Sequence, residues 1–114
     1  MKDFMLIFRN EPRNPEQAPT PEAMQAQLKL WMDWIGNIAA QNKLIDKGNR
    51  LDWSGKVLRP GNVVSDGPYM ELKEGVGGYT MIRAVSLEEA LDLAQGCPIL
   101  AVGGSVEIRE INKM

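Results

Sequence analysis

Ser65-Asp66-Gly67-Pro68-Tyr69, then Gly77-Gly78-Tyr79-Thr80-Met81-Ile82, then Gly103-Gly104-Ser105-Val106-Glu107-Ile108-Arg109 are the stretches that decide the fold. Asp-Gly-Pro reads as a turn: Asp can hydrogen-bond the backbone just downstream, Gly accepts positive φ, and Pro presets φ as the chain leaves the turn. Each double glycine then opens an alternating run that reads as a strand.

Outward from these stretches, the length of 114 residues predicts one domain over residues 1–114. Thirteen Lys and Arg against fifteen Asp and Glu give a net charge of −2, without the basic stripe that nucleic acid binding needs, so no nucleic acid partner is expected. The chain has no histidine and one cysteine, Cys97. A zinc site built from His and Cys and any His-based triad are therefore unavailable, and neither a metal nor another cofactor is expected. The single cysteine forbids an intrachain disulfide, in keeping with a reducing compartment. The apolar run at the start, Phe4 to Phe8, is too short for a membrane span or signal peptide, so a cytoplasmic protein without a membrane partner is expected.

Phe4-Met5-Leu6-Ile7-Phe8-Arg9 is apolar on both alternating faces, the mark of a central strand. Asn10 to Pro19 is proline-rich and polar and reads as a surface loop. Thr20-Pro21-Glu22 is a helix start, with Thr20 as N-cap and Pro21 in the first turn. Met24, Leu28, Trp31, Ile35 and Ile38 recur at helical spacing and predict the buried stripe, which leaves Leu30 and Trp34 partly exposed. Gly36 inside that helix suggests a close approach to the sheet. Leu44-Ile45 begins a further strand, and Leu51 to Val64 predicts a strand or ragged hairpin at the sheet edge. Ser86-Leu87-Glu88-Glu89 is a capping box for a second helix, whose stripe is Leu87, Ala90, Leu91 and Ala94 and which Gly96 closes.

Strand, helix, strand region, strand, helix, strand is the α+β, ferredoxin-like βαββαβ pattern: an antiparallel sheet with both helices on one face. Alternation puts Ile82, Val106 and Ile108 under the helices. Tyr79, Met81, Arg83, Glu107 and Arg109 then share the open face with Met5, Ile7 and Arg9. A bare face mixing Met, Tyr and Arg suits a partner subunit closing over a small polar pocket.

Asp66-Gly67-Pro68-Tyr69, Lys73-Glu74, Gly77-Gly78-Tyr79, the Ser86 to Ala94 helix, Gly96-Cys97-Pro98 and Gly103 to Arg109 resemble the DGPF branch of the YCII-related family. The likeness covers nearly the whole chain. It implies a homodimer in which two ferredoxin-like subunits press their open faces together into an α/β-barrel. It also implies a regulatory context, since members of the family are often encoded beside alternative sigma factors. Two departures stand out. Tyr69 replaces the Phe of the family name, and the chain lacks the histidine that partners an aspartate in the enzyme-like branch.

Asp66 carries two readings, a turn-forming side chain or a ligand-binding or general-base group in the dimer cleft. Arg83 and Arg109 each offer a planar fork of donors for an anionic ligand, or an ion pair with Glu107 or Glu110. Tyr69 and Tyr79 are packing residues or ligand contacts. Trp34 and Trp53 are candidates for an interface or pocket wall. Cys97, just after a helix end, is structural. Three functions are compatible with these residues: a small-molecule-binding regulatory protein with its cleft at the dimer interface, a cofactor-independent enzyme using Asp66 as base, and a module binding a sigma-factor-related protein through residues such as Trp34.

Overall fold

The structure, a computed structural model, describes residues 1–10, 19–67 and 75–114. Strand β1 (Lys2–Asn10) leads to helix α1 (Pro21–Ala40) and the short strand β2 (Leu44–Asp46), followed by β3 (Gly55–Arg59) and β4 (Val63–Gly67). Strand β5 (Gly75–Ala84), helix α2 (Leu87–Ala94), a 3-10 helix (Pro98–Val102) and β6 (Ser105–Glu110) complete the chain. The main sheet has the order β2-β5-β1-β6 with every neighbour antiparallel, and both helices pack on one face, as the ferredoxin-like reading requires.

Alternation explains the core. Phe4, Leu6 and Phe8 of β1 and Ile82 and Ala84 of β5 are buried beneath the helices, with Val106 and Ile108 of β6 packed beside them. Thr80 shares this buried side, and its hydroxyl donates to the Lys47 carbonyl at 2.9 Å, so that hydroxyl is not stranded there.

Helix α1 starts as expected, with the Thr20 hydroxyl accepting from the Ala23 amide. Its buried face differs from the expected stripe. Met24 and Leu28 are 51% and 61% exposed, while Trp34, expected off the stripe, is 8% exposed. The inward positions are Trp31, Trp34, Ile35 and Ile38, because the helix meets the core only from Trp31 onward. Trp34 is drawn in by its indole N–H, which donates to the Leu93 carbonyl at 2.9 Å, and by edge contacts with Phe8 and Trp31 at centroid separations of 6.0 and 5.6 Å. Gly96 follows the Gln95 cap at the end of α2, where the helix was expected to close, but without a positive φ, and it also serves packing: a Cβ there would stand 3.2 Å from the Trp34 ring.

Gly36 is also corrected. It is exposed, and nothing lies within 4 Å of where its Cβ would be, so no close approach to the sheet compensates its helix penalty. Gly36→Ala is expected to stabilise the fold by about 1 kcal/mol. A denaturant melt showing equal or lower stability would contradict this placement.

In α2, Ser86 accepts from the Glu89 amide, and Glu89 reaches back to the Val85 amide and to Lys43. The Lys43 ammonium bonded to Glu89, followed by the Val85 amide, holds that carboxyl below its usual range. Ala90 and Ala94 are buried as expected, whereas Leu87 and Leu91 stay about half exposed and Leu93 takes the inward place. Small residues at 90 and 94 let this short helix lie close to the sheet.

The expected edge hairpin exists, but not on the edge. Among the described residues, strands β3 and β4 pair with each other alone, as a separate two-stranded sheet. The edge beyond β2 is formed instead by residues 49–51, where the Leu51 amide donates to Gly77 and the Tyr79 amide donates to Asn49. Gly48 makes that crossing possible. Its φ is +71°, and a Cβ there would run into the Tyr79 carbonyl.

Candidate functional site

Register fixes which side chains share the face away from the helices. Since Phe4, Leu6 and Phe8 point inward, Asp3, Met5, Ile7 and Arg9 point outward, together with their partners on the neighbouring strands. Met5 lies between Met81 and Arg109, Ile7 lies between Tyr79 and Glu107, and Asp3 stands opposite Arg83. The open face is thus the one expected from the sequence, with Tyr79, Arg83 and Arg109 on it together. Asp3 escaped the sequence reading, although simple alternation from Met5 puts it on this face.

The face has an apolar centre of Met5, Ile7 and Met81 and a charged rim. Glu107 accepts from Arg9 Nε at 3.2 Å and lies 3.5 Å from Arg109 Nη1, while Asp3 pairs with Lys113 at 3.4 Å. Arg109 therefore follows the ion-pair reading. Arg83 does not. Its Nε–H is buried and meets no acceptor among the described residues. An unpaired buried donor costs about 1–3 kcal/mol, more when it is charged, so an incoming oxygen gains from meeting it.

Asp66 belongs to a different surface. It is the penultimate residue of β4, its side chain is 90% exposed, and it pairs with Lys56 across the hairpin. With Ser54, Gly55, Lys56 and Gly67 it lines an open groove of about 420 Å³. Within one chain the structure does not bring Asp66 to the face that holds Arg83 and Arg109. Asp66 and Gly67 finish a strand, and the expected turn at Pro68 and the ligand candidate Tyr69 lie outside the described residues, as does most of the loop expected at 10–19.

Of the other candidates, Trp34 is core rather than interface, its ring held between Phe8, Trp31 and the Leu93 carbonyl. Trp53 packs over the start of β5, where a Cβ at Gly75 would stand 2.5 Å from its ring and one at Gly77 3.6 Å. The two glycines therefore make the floor on which this indole sits. Cys97 is buried among core residues, and burial pushes its thiol up to about 11, so it is an inert packing group.

Among the described residues no three His, Cys, Asp or Glu side chains are grouped to hold a metal ion. No described helix is long and apolar enough to cross a membrane. The family model for the YCII-related domain matches residues 4–114. No curated protein matches the chain.

Proposed function

The chain belongs to the YCII-related family, and we propose that it works as a homodimer which holds a small anionic molecule between two facing open sheets. The observation that carries this reading is Arg83, whose buried Nε–H lacks an acceptor among the described residues, on a face otherwise organised into ion pairs. A guanidinium offers a planar fork suited to carboxylate or phosphate. Tyr79, on the same strand and face but beyond Met81, adds a hydroxyl to that face. The apolar centre and charged rim have the anatomy of a subunit interface, and covering one face of a thin two-layer subunit with a second copy would bury that centre.

A binding role is favoured over proton abstraction. A general base must reach the substrate's proton within hydrogen-bond distance, and Asp66 stands in solvent beside Lys56 on another surface. Nor does Trp34 supply a docking point for a sigma-factor-related protein, because its ring is buried.

Thermal melts with a panel of small carboxylates and phosphates test the proposal. A ligand at a hundred times its Kd stabilises by about 2.7 kcal/mol, which raises the midpoint by several degrees. Arg83→Gln is expected to abolish that gain, and, because it removes an unpaired buried donor, to melt without ligand no lower than the wild type. An identical shift in Arg83→Gln would remove Arg83 from the site, and no shift with any anion would overturn the ligand class.

A further inference from the structure

Asp3 and Arg83 are placed as an ion pair and do not form one. The two residues stand directly opposite in the β1–β5 ladder. Their backbones turn away from each other: the Arg83 amide donates to the Lys43 carbonyl on the β2 side at 2.8 Å, and the Asp3 carbonyl accepts from the Ile111 amide on the β6 side at 2.8 Å. They are therefore a non-hydrogen-bonded pair, the kind whose Cα atoms come within about 4.5 Å and whose side chains lie closest. Opposite charges so placed across a ladder attract each other and stabilise the sheet. Here the guanidinium instead keeps its Nε–H buried without an acceptor among the described residues.

Lys113 takes the Asp3 carboxylate. The chain leaves β6 at Glu110, the Ile111 amide seats it on Asp3, and the Lys113 ammonium then lies 3.4 Å from Asp3 Oδ2. Asp3 thus holds the segment after β6 through both its carbonyl and its carboxylate. One carboxylate stands between two cations and pairs with the outer one. The Asp3 side chain is 25% exposed and that of Lys113 80% exposed, so the pair lies at the wet rim of the face, where ion pairs are weak and readily exchanged. The cation left over is the one that an anionic ligand would meet.

We propose that Lys113 is a positioning residue for the Arg83 anion site: by holding the Asp3 carboxylate it keeps that carboxylate off Arg83, so the segment after β6 sets the affinity of the site. The inference rests on Arg83 as the anion contact of the proposed function and does not require a second subunit. Loss of the Lys113 charge frees Asp3 to turn across the ladder and accept from the Arg83 guanidinium, in the place of the oxygen that a carboxylate or phosphate would bring. An incoming anion then competes with an intramolecular one, and its apparent Kd rises as the open fraction of molecules falls.

Nitrogen-edited NMR of the arginine side chains in the full chain tests this, with Arg83→Gln identifying the Arg83 signal, first alone and then in titrations with sodium phosphate and sodium acetate at fixed ionic strength. Lys113 is exposed and Asp3→Asn is isosteric, so these variants keep the fold. In Lys113→Ala the Arg83 Nε–H is expected to shift downfield before any anion is added, as it gains a carboxylate acceptor, and the anion Kd to rise by about fivefold. Lys113→Arg keeps the charge and should keep the wild-type signal, and adding Asp3→Asn to Lys113→Ala should restore the signal and at least the wild-type affinity. An Arg83 signal unmoved in Lys113→Ala, with wild-type anion affinity, would overturn the proposal and leave the anion site standing. Equal weakening by Lys113→Ala with and without Asp3→Asn would mean that Lys113 acts through space rather than through Asp3, and would also overturn it. A wild-type Arg83 signal that ignores both anions would sink the ligand reading and this proposal with it.

Discussion

Met81→Glu is expected to yield a folded monomer. Met81 lies on the open face, between the β2 edge and Met5, with its backbone paired in the centre of the sheet and its side chain pointing away from the helices. The substitution leaves the core of Phe4, Leu6 and Ile82 untouched. In a face-to-face dimer the two-fold axis brings this apolar centre against its own copy, so the variant buries a carboxylate without a partner on each side. An uncompensated buried charge costs on the order of 3–5 kcal/mol, enough to raise the dimer Kd by about two to four orders of magnitude. Sedimentation velocity beside far-UV circular dichroism checks both halves of the expectation. A variant dimer as tight as the wild type would mean that another surface joins the subunits.

Trp34→Ala is expected to have the largest effect on the fold. The substitution removes a ring that touches Phe8 and Trp31 and leaves the Leu93 carbonyl without its indole donor at a part-buried site. Truncating a buried aromatic costs about 3–5 kcal/mol, and the lost hydrogen bond falls within that total. The melting midpoint should drop by on the order of 15 °C. Trp34→Phe separates the two contributions: it keeps most of the packing, loses the donor, and should cost roughly 1–2 kcal/mol. A Trp34→Ala protein that melts with the wild type would return this residue to the surface.

The contrast between strands and helices shows what this sequence makes legible. Along β1 and β5, burial alternates with each residue because one sheet face is covered and the other is not, so a period of two places every side chain, Met81 and Arg83 included. Helix α1 is apolar on more than one side: Met24, Leu28, Leu30 and Met32 compete with Trp31, Trp34, Ile35 and Ile38. Periodicity picks out a continuous line, but it cannot say that the first turns of the helix pass beyond the core. Nor does it register that Gly96 clears space for one ring and the Leu93 carbonyl holds its nitrogen.

Turn chemistry is similarly half informative. Pro60-Gly61-Asn62 announces a hairpin, and the hairpin is there, but a turn specifies only the pairing of the strands that it joins. Its detachment from the sheet edge depends on Gly48 and residues 49–51 occupying that edge first. The same detachment separates Asp66 from Arg83 within one chain. The arginine site is therefore readable from strand alternation, whereas the environment of Asp66 depends on the placement of the hairpin, which alternation within the main sheet does not fix.

Methionine footprinting tests the open-face interface most directly, because the chain carries its own controls. Met5 and Met81 lie on that face, while Met24 and Met32 are exposed on α1. Brief peroxide oxidation of the wild-type protein at micromolar concentration, followed by peptide mapping, compares the four residues in one sample. Met5 and Met81 should resist oxidation while Met24 and Met32 react, and dilution below the dimer Kd should erase that protection. Oxidation of Met5 and Met81 at rates that do not change with protein concentration would show that the face stays uncovered and would contradict the proposed dimer.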